Sequence, residues 1–484
     1  MNMPKAFVFF FAFFSLLNSS SVQAQHPDIG LGDLRNEVGA ANVDGTGVRL
    51  LHVEAPDANG NHSPDTASSQ FSNKSFSGST GGGASAHGTN VGLNIYGSTS
   101  GVATGVGEAG SPAIEVGEAN DFIFNQLGAN SVGDTTPDQA PILQNYDVSN
   151  HSYIANPSTN FPATDVVNAL QRLDWVINQT DMSAVVGTSN SGNTPALYAQ
   201  GYNEITVGRL NGNHGSSLTT LNGAGRLAVD LVAPTPGFAN TTSNATGIVS
   251  GVVSILRQSG SGIADASNSE VVKATLLAGA TKEEFPAWSR TATRPLDQVY
   301  GAGEANIYNS YHIQQAGQIN GETGDPVNIA GERGWDFAED FDLGDELFYE
   351  FNVDSGDILE DFSIILNWNA VIEDTNAAAD IFQPSLSVAD LSLELYDSTN
   401  GFLNQLVTDG VSDSPVDNIE HLYISSLAEG TYHLRVANST TDSIQTDFAL
   451  AFRSDVSAIA VPEPSSFAIL CLGIALMTGR RRRS

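Results

Sequence analysis

Residues 47–54 read Gly-Val-Arg-Leu-Leu-His-Val-Glu, and this stretch decides the fold of the first half of the chain. Its aliphatic residues form a nearly continuous apolar run, which is typical of a central strand in a parallel sheet because such a strand is buried on both faces. Glu54 stands at the carboxyl end of the run. In open α/β sheets, ligands and reacting groups gather at the carboxyl ends of the strands. The stretch therefore predicts an α/β domain with a functional edge near Glu54.

The pattern changes along the chain. Helical and strand patterns alternate up to about Tyr311, which indicates βαβ units around a mainly parallel central sheet. After a Gly-rich stretch, short strands between turn residues predict an all-β, jelly-roll-like sandwich. We place the α/β domain at residues 34–316, a linker at 317–334 and the sandwich at 335–455. The predicted sandwich strands are Leu347–Val353, Phe362–Trp368, Leu391–Tyr396, His421–Ile424, Tyr432–Val436 and Phe448–Phe452.

Charge and cysteine content exclude several functions. The chain has 484 residues, with 19 Lys and Arg against 54 Asp and Glu, and a formal net charge of −35. This balance argues against nucleic acid as a partner, because binding phosphates requires clustered cations. Cys471 is the single cysteine, so no intramolecular disulfide can form.

Residues 1–25 have the layout of a secretory signal peptide. Lys5 precedes an apolar run over Ala6–Leu17, and Val22-Gln23-Ala24 provides a cleavage site of the A-x-A type. The run of about 12 residues is too short to span a bilayer. We therefore expect signal peptidase to remove this segment during export.

Residues 461–484 form a second targeting segment. They begin with Val461-Pro462-Glu463-Pro464, continue with a short apolar run over Phe467–Gly479, and end with Arg480–Arg483 and a serine. This ending resembles the PEP-CTERM sorting signal. The resemblance implies processing by an exosortase, transient membrane anchoring by the tail, and delivery to the cell surface or extracellular matrix of a Gram-negative bacterium. A plain tail anchor, with its arginines on the cytoplasmic side, is the alternative.

Two further motifs contain residues that could catalyse acyl transfer. His87 lies at the start of a predicted helix, and Ser243 begins a buried helix whose apolar positions run to Leu256. Taken singly, a histidine is more often structural and a serine is an ordinary helix cap. A helix start nevertheless favours a nucleophile and a developing oxyanion. The order acid, histidine, serine, with gaps close to the roughly 30 and roughly 160 residues of subtilisin, favours a catalytic set.

The motifs around these residues resemble those of the subtilisin-like serine peptidases, or subtilases. The matching stretches are Gly45–Val48, His87–Val91 (His-Gly-Thr-Asn-Val), Gly187–Gly192, Ile205–Gly208, Asp230–Pro234 and Thr242–Thr246. The resemblance implies a subtilisin-like α/β domain with a triad of Glu54, His87 and Ser243. It also implies that Asn190 donates a hydrogen bond in the oxyanion hole.

Residues 148–153 resemble the family segment that lines the substrate cleft. The resemblance implies that Asn150, Ser152 and Tyr153 bind a protein or peptide substrate, which would pair with this edge as an added strand. It implies no required cofactor and no catalytic metal, while structural calcium is left open. Three further histidines match no family motif and are expected on the surface or in loops: His62, His151 and His214.

Three positions depart from the family pattern. Glu54 replaces the usual aspartate, Thr241 replaces glycine, and Gly247 stands where proline is common. Asp57 and Asp65 are alternative acids close by. The leading hypothesis is an exported serine endopeptidase that forms an acyl-enzyme. The alternatives are a catalytically inactive surface or matrix protein on a subtilase scaffold, and a matrix-binding protein in which the sandwich has the main function.

Overall fold

The computed structural model describes residues 29–78, 82–131, 139–143, 145–155, 161, 165–236, 240–377, 381–439 and 444–458. The predicted signal peptide and sorting tail lie outside these ranges. Among the helices within them, none is both long and apolar enough to cross a membrane.

A seven-stranded sheet forms the centre of the first domain. Its strands follow the order β2-β3-β1-β4-β5-β6-β7, and each neighbouring pair is parallel. Strand β1 lies between β3 and β4 and is buried along its whole length, as the apolar run at residues 47–54 predicts. The strands are β1 Leu50–Glu54, β2 Phe76–Gly78, β3 Ile114–Glu118, β4 Val148–His151, β5 Ser183–Gly187, β6 Ile205–Arg209 and β7 Leu231–Ala233.

Helices cover both faces of this sheet. Those of the described residues are α1 Leu31–Val38, α2 Ala86–Tyr96, α3 Val166–Thr180, α4 Thr242–Gly260, α5 Ser269–Ala278 and α6 Ile307–Gln315. Short helical turns lie at Ala40–Asn42, Ser69–Phe71, Ala119–Asp121, Phe122–Gln126 and Tyr198–Gln200. Leu50 of β1 shares a core with α2 and α4, whereas Leu51 and Val53 pack with α3. The alternation of side chains along β1 thus divides its residues between two cores.

The second region is an antiparallel sandwich with one parallel edge pair. Its sheets have the orders β15-β14-β17-β10-β8 and β16-β11-β18-β9, and β12 pairs with β13. Each predicted sandwich strand falls within an observed one. The strands are β8 Val327–Ile329, β9 Arg333–Phe341, β10 Glu346–Val353, β11 Asp357–Trp368, β12 Val371–Asp374, β13 Pro384–Ser387, β14 Leu391–Asp397, β15 Gln405–Ser412, β16 Ile419–Leu427, β17 Gly430–Asn438 and β18 Thr446–Ala458. The predicted architecture, an α/β domain with a parallel central sheet followed by a β-sandwich, is confirmed.

Residues 317–334, predicted to be a linker, are part of the sandwich. The Ile319 N–H donates to the Trp335 carbonyl at 2.7 Å, and the Gly321 N–H donates to the Asp336 carboxylate at 2.8 Å. Strand β8 lies within the segment and pairs with β10. Glycine-rich, polar composition suggested a free connector, but backbone hydrogen bonds attach the segment to the sheets.

The sandwich and the α/β domain share one hydrophobic core. Trp335 of β9 and Ala449 of β18 belong to the same buried cluster as the apolar residues of α5 and α6. The Trp335 indole N–H donates to the carbonyl of Gln314 in α6 at 2.9 Å. Farther along, Asn203 donates to the carbonyl of Ala370 at 3.0 Å and accepts from its N–H at 2.8 Å. The two regions are therefore joined by both apolar packing and hydrogen bonds.

This shared core predicts a large cost for Trp335→Ala. Trp335 is fully buried, and its loss leaves a cavity and an unpaired Gln314 carbonyl. We expect the free energy of unfolding to fall by about 3–5 kcal/mol, as for other buried tryptophans. Urea unfolding followed by circular dichroism measures the loss, and Leu406→Ala, at a 44 % exposed position, is a control expected to change little. Two separate unfolding transitions, with only the later one shifted, would contradict the shared core.

Candidate active site

Glu54 and His87 meet at the carboxyl edge of the sheet. The buried Glu54 side chain places Oε2 at 2.6 Å from Nδ1 of His87, in the first turn of α2. Ser85 caps this helix, since its Oγ accepts from the Gly88 N–H at 3.3 Å. A carboxylate only accepts hydrogen bonds, so the hydrogen-bond network assigns the proton of neutral His87 to Nδ1. Nε2 is then unprotonated and can act as a base.

Opposing effects act on the two titratable groups. Burial raises the pKa of Glu54, but hydrogen bonds from His52 and His87 outweigh it and hold this pKa below its usual value. The hydrogen bond with Glu54 in turn raises the pKa of His87, although burial opposes the change. Glu54 is therefore ionised at neutral pH, and His87 is a stronger base than a free imidazole.

A second imidazole, not selected by the sequence analysis, contacts the same carboxylate. Nε2 of His52 lies 2.9 Å from Oε1 of Glu54, and Nδ1 of His52 lies 2.9 Å from the Tyr96 hydroxyl. His52 and Glu54 are two residues apart on β1, so their side chains share one face of the strand. That spacing is the signal that could have identified His52.

Ser243 lies in the first turn of α4 and is 6 % exposed. Its Oγ donates to the Ser152 carbonyl at 3.2 Å, and the Ser152 hydroxyl donates to the Ser243 carbonyl at 3.1 Å. Within the part of the chain that the structure describes, no hydrogen bond joins Ser243 to His87. The predicted acid and histidine are thus paired, whereas the predicted nucleophile is bonded to the neighbouring β4 edge.

Helices α2 and α4 pack closely beside the site. Gly247 lies one turn after Ser243, and a Cβ there would stand 3.2 Å from both the Asn94 Cβ and the Val91 carbonyl oxygen. A larger side chain at this position would press on α2. The glycine therefore lets the helix that begins near Ser243 approach the helix that carries His87.

Asn190 belongs to the loop after β5, and its side chain contacts the first residue of α4. Its Oδ1 accepts from the Thr242 N–H at 2.8 Å and from the Thr242 hydroxyl at 3.1 Å. Arg209 donates to the carbonyls of Asn190 and Asn240, each at 2.6 Å. With Oδ1 held in this way, the Asn190 Nδ2 donor faces away from Thr242, and no residue of the described ranges accepts a hydrogen bond from it.

The three predicted substrate residues are largely buried. Asn150 is fully buried, and its Nδ2 donates to Ser250 of α4 at 2.9 Å, so its side chain packs between β4 and the helix. Ser152 is bonded to Ser243, and the Tyr153 hydroxyl lies 3.3 Å from Nδ1 of His151. The segment therefore offers backbone groups, such as the Ser152 carbonyl, rather than the Asn150 side chain. Substrate contact by this segment stays a prediction.

The expectation that His62, His151 and His214 lie on the surface or in loops is wrong for His151, which ends strand β4, whereas His62 and His214 do lie in loops. All are buried, with exposed fractions of 4 %, 1 % and 4 %. His151 pairs with the Ser149 hydroxyl at 2.9 Å, and His214 accepts from the Arg209 N–H at 3.0 Å. Burial lowers the pKa of His151 to about 3 and also lowers the pKa of His214. Hydrogen-bonded neutral imidazoles can be buried at modest cost.

The alternative acids lie apart from His87. Asp57 is exposed, and its Oδ1 accepts from the Asn59 and Asn61 N–H groups at 2.8 and 2.9 Å. Asp65 is also exposed and accepts from the Ala67 N–H at 3.1 Å. Each caps its own turn, so Glu54 is the acid that contacts the histidine. Among the described residues, no cluster of His, Cys, Asp and Glu side chains is arranged to hold a metal ion.

The comparison with protein families matches the end of the chain. Residues 460–483 match the model of the PEP-CTERM protein-sorting motif, which confirms the sequence prediction for the tail. This motif indicates an exported protein handled by the exosortase system of Gram-negative bacteria. Among curated proteins, none matches the sequence.

Several solved protease structures are similar to this chain. The prenylagaramide maturation protease PagA is 17 % identical, with a TM-score of 0.40 over 58 % of this chain and 98 % of that one. The patellamide maturation protease PatA is 16 % identical, with a TM-score of 0.38 over 56 % and 98 %. The epidermin leader peptide processing serine protease of Staphylococcus aureus is 14 % identical, with a TM-score of 0.38 over 58 % and 80 %. At these scores the likenesses carry no argument about chemistry here. The sorting signal thus indicates an exported protein, and the parallel sheet an α/β domain.

Proposed function

We propose that the protein is a serine endopeptidase that hydrolyses peptide bonds with Glu54, His87 and Ser243. The observation that carries the proposal is the 2.6 Å contact between Glu54 and Nδ1 of His87. It orients the imidazole and leaves Nε2 as the general base, which is the role that the acid has in a serine triad. Protein or peptide chains are the substrate class.

Substrate binding would release the nucleophile from its present partner. A substrate N–H that takes the Ser152 carbonyl, as in strand addition, competes with the Ser243 hydroxyl for the same acceptor. The freed hydroxyl then turns about χ1 toward Nε2 of His87. Residues 148–153 thereby couple peptide binding to activation of the serine.

The reaction then follows from the residues in place. His87 takes the Ser243 proton as Oγ attacks the peptide carbonyl, and the Asn190 amide with backbone N–H groups at the start of α4 binds the oxyanion. One such donor typically contributes about 2.7–4 kcal/mol to transition-state binding. His87 next protonates the leaving amine. Water, deprotonated by His87, hydrolyses the acyl-enzyme, and Ser243 regains its proton.

The proposed location is the cell surface or extracellular matrix, after cleavage by signal peptidase and processing of the tail by exosortase. A formal charge of −35 favours solubility and repels anionic polymers and membranes. A second candidate, an inactive surface protein on the same scaffold, is favoured by one observation. Ser243 is bonded to Ser152 and not to His87.

Labelling with a fluorophosphonate separates the two candidates. In the folded, exported protein we expect one covalent adduct, mapped by mass spectrometry to Ser243. Only an activated serine reacts, so prior unfolding in urea should abolish the label, as should Ser243→Ala. Ser254→Ala, on the same helix, is the matched control and should still be labelled. A folded protein that stays unlabelled would favour the inactive scaffold.

A further inference from the structure

We propose that His52 and Tyr96 are positioning residues that hold Glu54 in place behind His87. This inference rests on the proposed peptidase function. Both side chains are fully buried, so they act through Glu54 and do not reach the substrate.

The direction of each hydrogen bond in this group follows from the Glu54 carboxylate, which can only accept. Nε2 of His52, 2.9 Å from Oε1, therefore carries a proton. A neutral imidazole has one N–H, which makes Nδ1 of His52 an acceptor. The Tyr96 hydroxyl, 2.9 Å from Nδ1, is then the donor. The series of hydrogen bonds runs from Tyr96 through His52 to Oε1 of Glu54, and His87 donates to Oε2 of the same carboxylate.

This arrangement suits a glutamate in a buried position. A hydrogen bond from His87 alone would leave Oε1 of Glu54 unpaired. Because a glutamate side chain has one more rotatable bond than aspartate, its carboxylate would also be free to turn. An unpaired buried acceptor costs about 1–3 kcal/mol, and more when it is charged. His52 occupies Oε1 and fixes the plane of the carboxylate. Because Tyr96 belongs to α2, the helix that carries His87, the acid and the histidine are held to the same element.

Two groups around His52 keep one protonation state at neutral pH. The titratable groups in contact with His52 are Glu54 on its own strand and Tyr96 from α2, while His151, in register with Val53 on the adjacent β4, interacts with it only through charge. Burial raises the pKa of Tyr96 well above its usual value, so it remains a donor. Burial lowers the pKa of His151 to about 3, so this ring adds no positive charge at neutral pH.

The first test reads the tautomer directly. In ¹⁵N-histidine NMR spectra of the full chain with Ser243→Ala, which prevents self-digestion, we expect His52 protonated on Nε2 and unprotonated on Nδ1 at neutral pH. A proton on Nδ1 would overturn the proposal. Tyr96→Phe, nearly isosteric, removes the donor to Nδ1 but leaves Glu54 to accept from Nε2, so the proton should stay on Nε2 while the Nδ1 resonance moves toward that of a nitrogen without a hydrogen bond.

The second test follows His87 when His52 is changed. His52→Leu leaves Oε1 without a donor and the carboxylate free to turn, so Oε2 is held less well against Nδ1 of His87 and stabilises the His87 cation less. We expect the midpoint of the His87 titration to fall by about one pH unit and, in otherwise wild-type enzyme, kcat to fall about 10–100-fold with KM unchanged. His52→Gln retains an N–H donor, so it should restore most of the His87 midpoint and most of kcat.

A matched control and the separation of outcomes complete the design. His433 and Glu350 form another imidazole–carboxylate pair, 3.1 Å apart, in the sandwich, and His433→Gln should leave the His87 titration unchanged. If folded His52→Leu has an unshifted His87 midpoint, the positioning role is wrong. If the midpoint shifts but Ser243 is never labelled, the positioning role stands and the peptidase function fails. If His52→Leu does not fold, the positioning role is tested by the tautomer of His52 in the ¹⁵N spectra of the chain without that substitution and of Tyr96→Phe.

Discussion

Peptide hydrolysis by the Ser243→Ala variant is expected to fall about 10⁶-fold in kcat, or roughly 8 kcal/mol at 1.36 kcal/mol per decade. The reason is that no other nucleophile can form the acyl-enzyme. The substitution removes one buried hydroxyl and its 3.2 Å hydrogen bond to Ser152, so stability should change by only about 1 kcal/mol. Initial rates on a quenched fluorescent peptide library, with circular dichroism of both proteins, give the comparison.

Combining substitutions shows whether the residues act as a unit. His87→Ala alone should cost nearly as much as Ser243→Ala, and the double variant should cost little more than either. Ser254→Ala is the control for serine loss in the same helix and should retain full activity. Additive losses, or hydrolysis that survives Ser243→Ala, would show that the peptidase activity arises elsewhere.

The second large effect is expected for Glu54→Gln, with a loss of about 10⁴ in kcat, or roughly 5.5 kcal/mol. Glu54 accepts from two imidazoles, His52 and His87. A glutamine amide has one oxygen, so one imidazole must face an NH₂ group. If that ring is His87, its proton moves to Nε2 and the base is lost. If it is His52, its proton moves to Nδ1 and the Tyr96 hydroxyl must change from donor to acceptor.

Glu54→Asp keeps the carboxylate charge and shortens the side chain, so it tests the effect of side-chain length alone. The shorter carboxylate keeps the right acceptors but draws back from the rings, and a misplacement near 1 Å can cost about 10²-fold. Its activity should lie between that of wild type and Glu54→Gln. Asp57→Asn and Asp65→Asn, whose carboxylates cap local turns, should have small effects. If either Asn variant loses most of its activity while Glu54→Gln stays nearly as active as wild type, the triad acid is Asp57 or Asp65 and not Glu54.

The pH profile offers a further check on the same variants. Hydrolysis requires neutral His87, whose pKa is raised by its hydrogen bond to Glu54. The rising limb of kcat/KM against pH should therefore lie at higher pH in wild type than the titration of a free histidine. In Glu54→Gln this limb should move to lower pH, because the carboxylate no longer stabilises the imidazolium. An unmoved limb would mean that another group controls the profile.

The fold could be predicted because its signals are local. The apolar run ending at Glu54 indicated a buried parallel strand, and turn residues separated each sandwich strand. Glu54 and His87 were located by short motifs at strand and helix ends, where the topology brings them together. The orientation of the Ser243 hydroxyl could not be predicted, since its partner, the Ser152 carbonyl, is brought to it by the tertiary fold.

Other features depend on contacts between distant segments. Residues 317–334 carry no apolar periodicity, and their strand character comes from pairing with β10. His214 is buried because Arg209 and Val299 provide partners for both ring nitrogens. His52 was legible from its spacing to Glu54, but its partner Tyr96 lies on another element. Polar residues of this kind are placed by tertiary hydrogen bonds, which composition does not reveal.

The position of β18 has a consequence for when this protein can work. This last strand lies between β11 and β9, in the sheet that packs against α5 and α6. A chain that is exported N-terminus first cannot close that core until residues 446–458 have crossed. We therefore expect the edge that carries Glu54 and His87 to form only at the end of translocation, so that the proposed peptidase would become active only once the chain is outside.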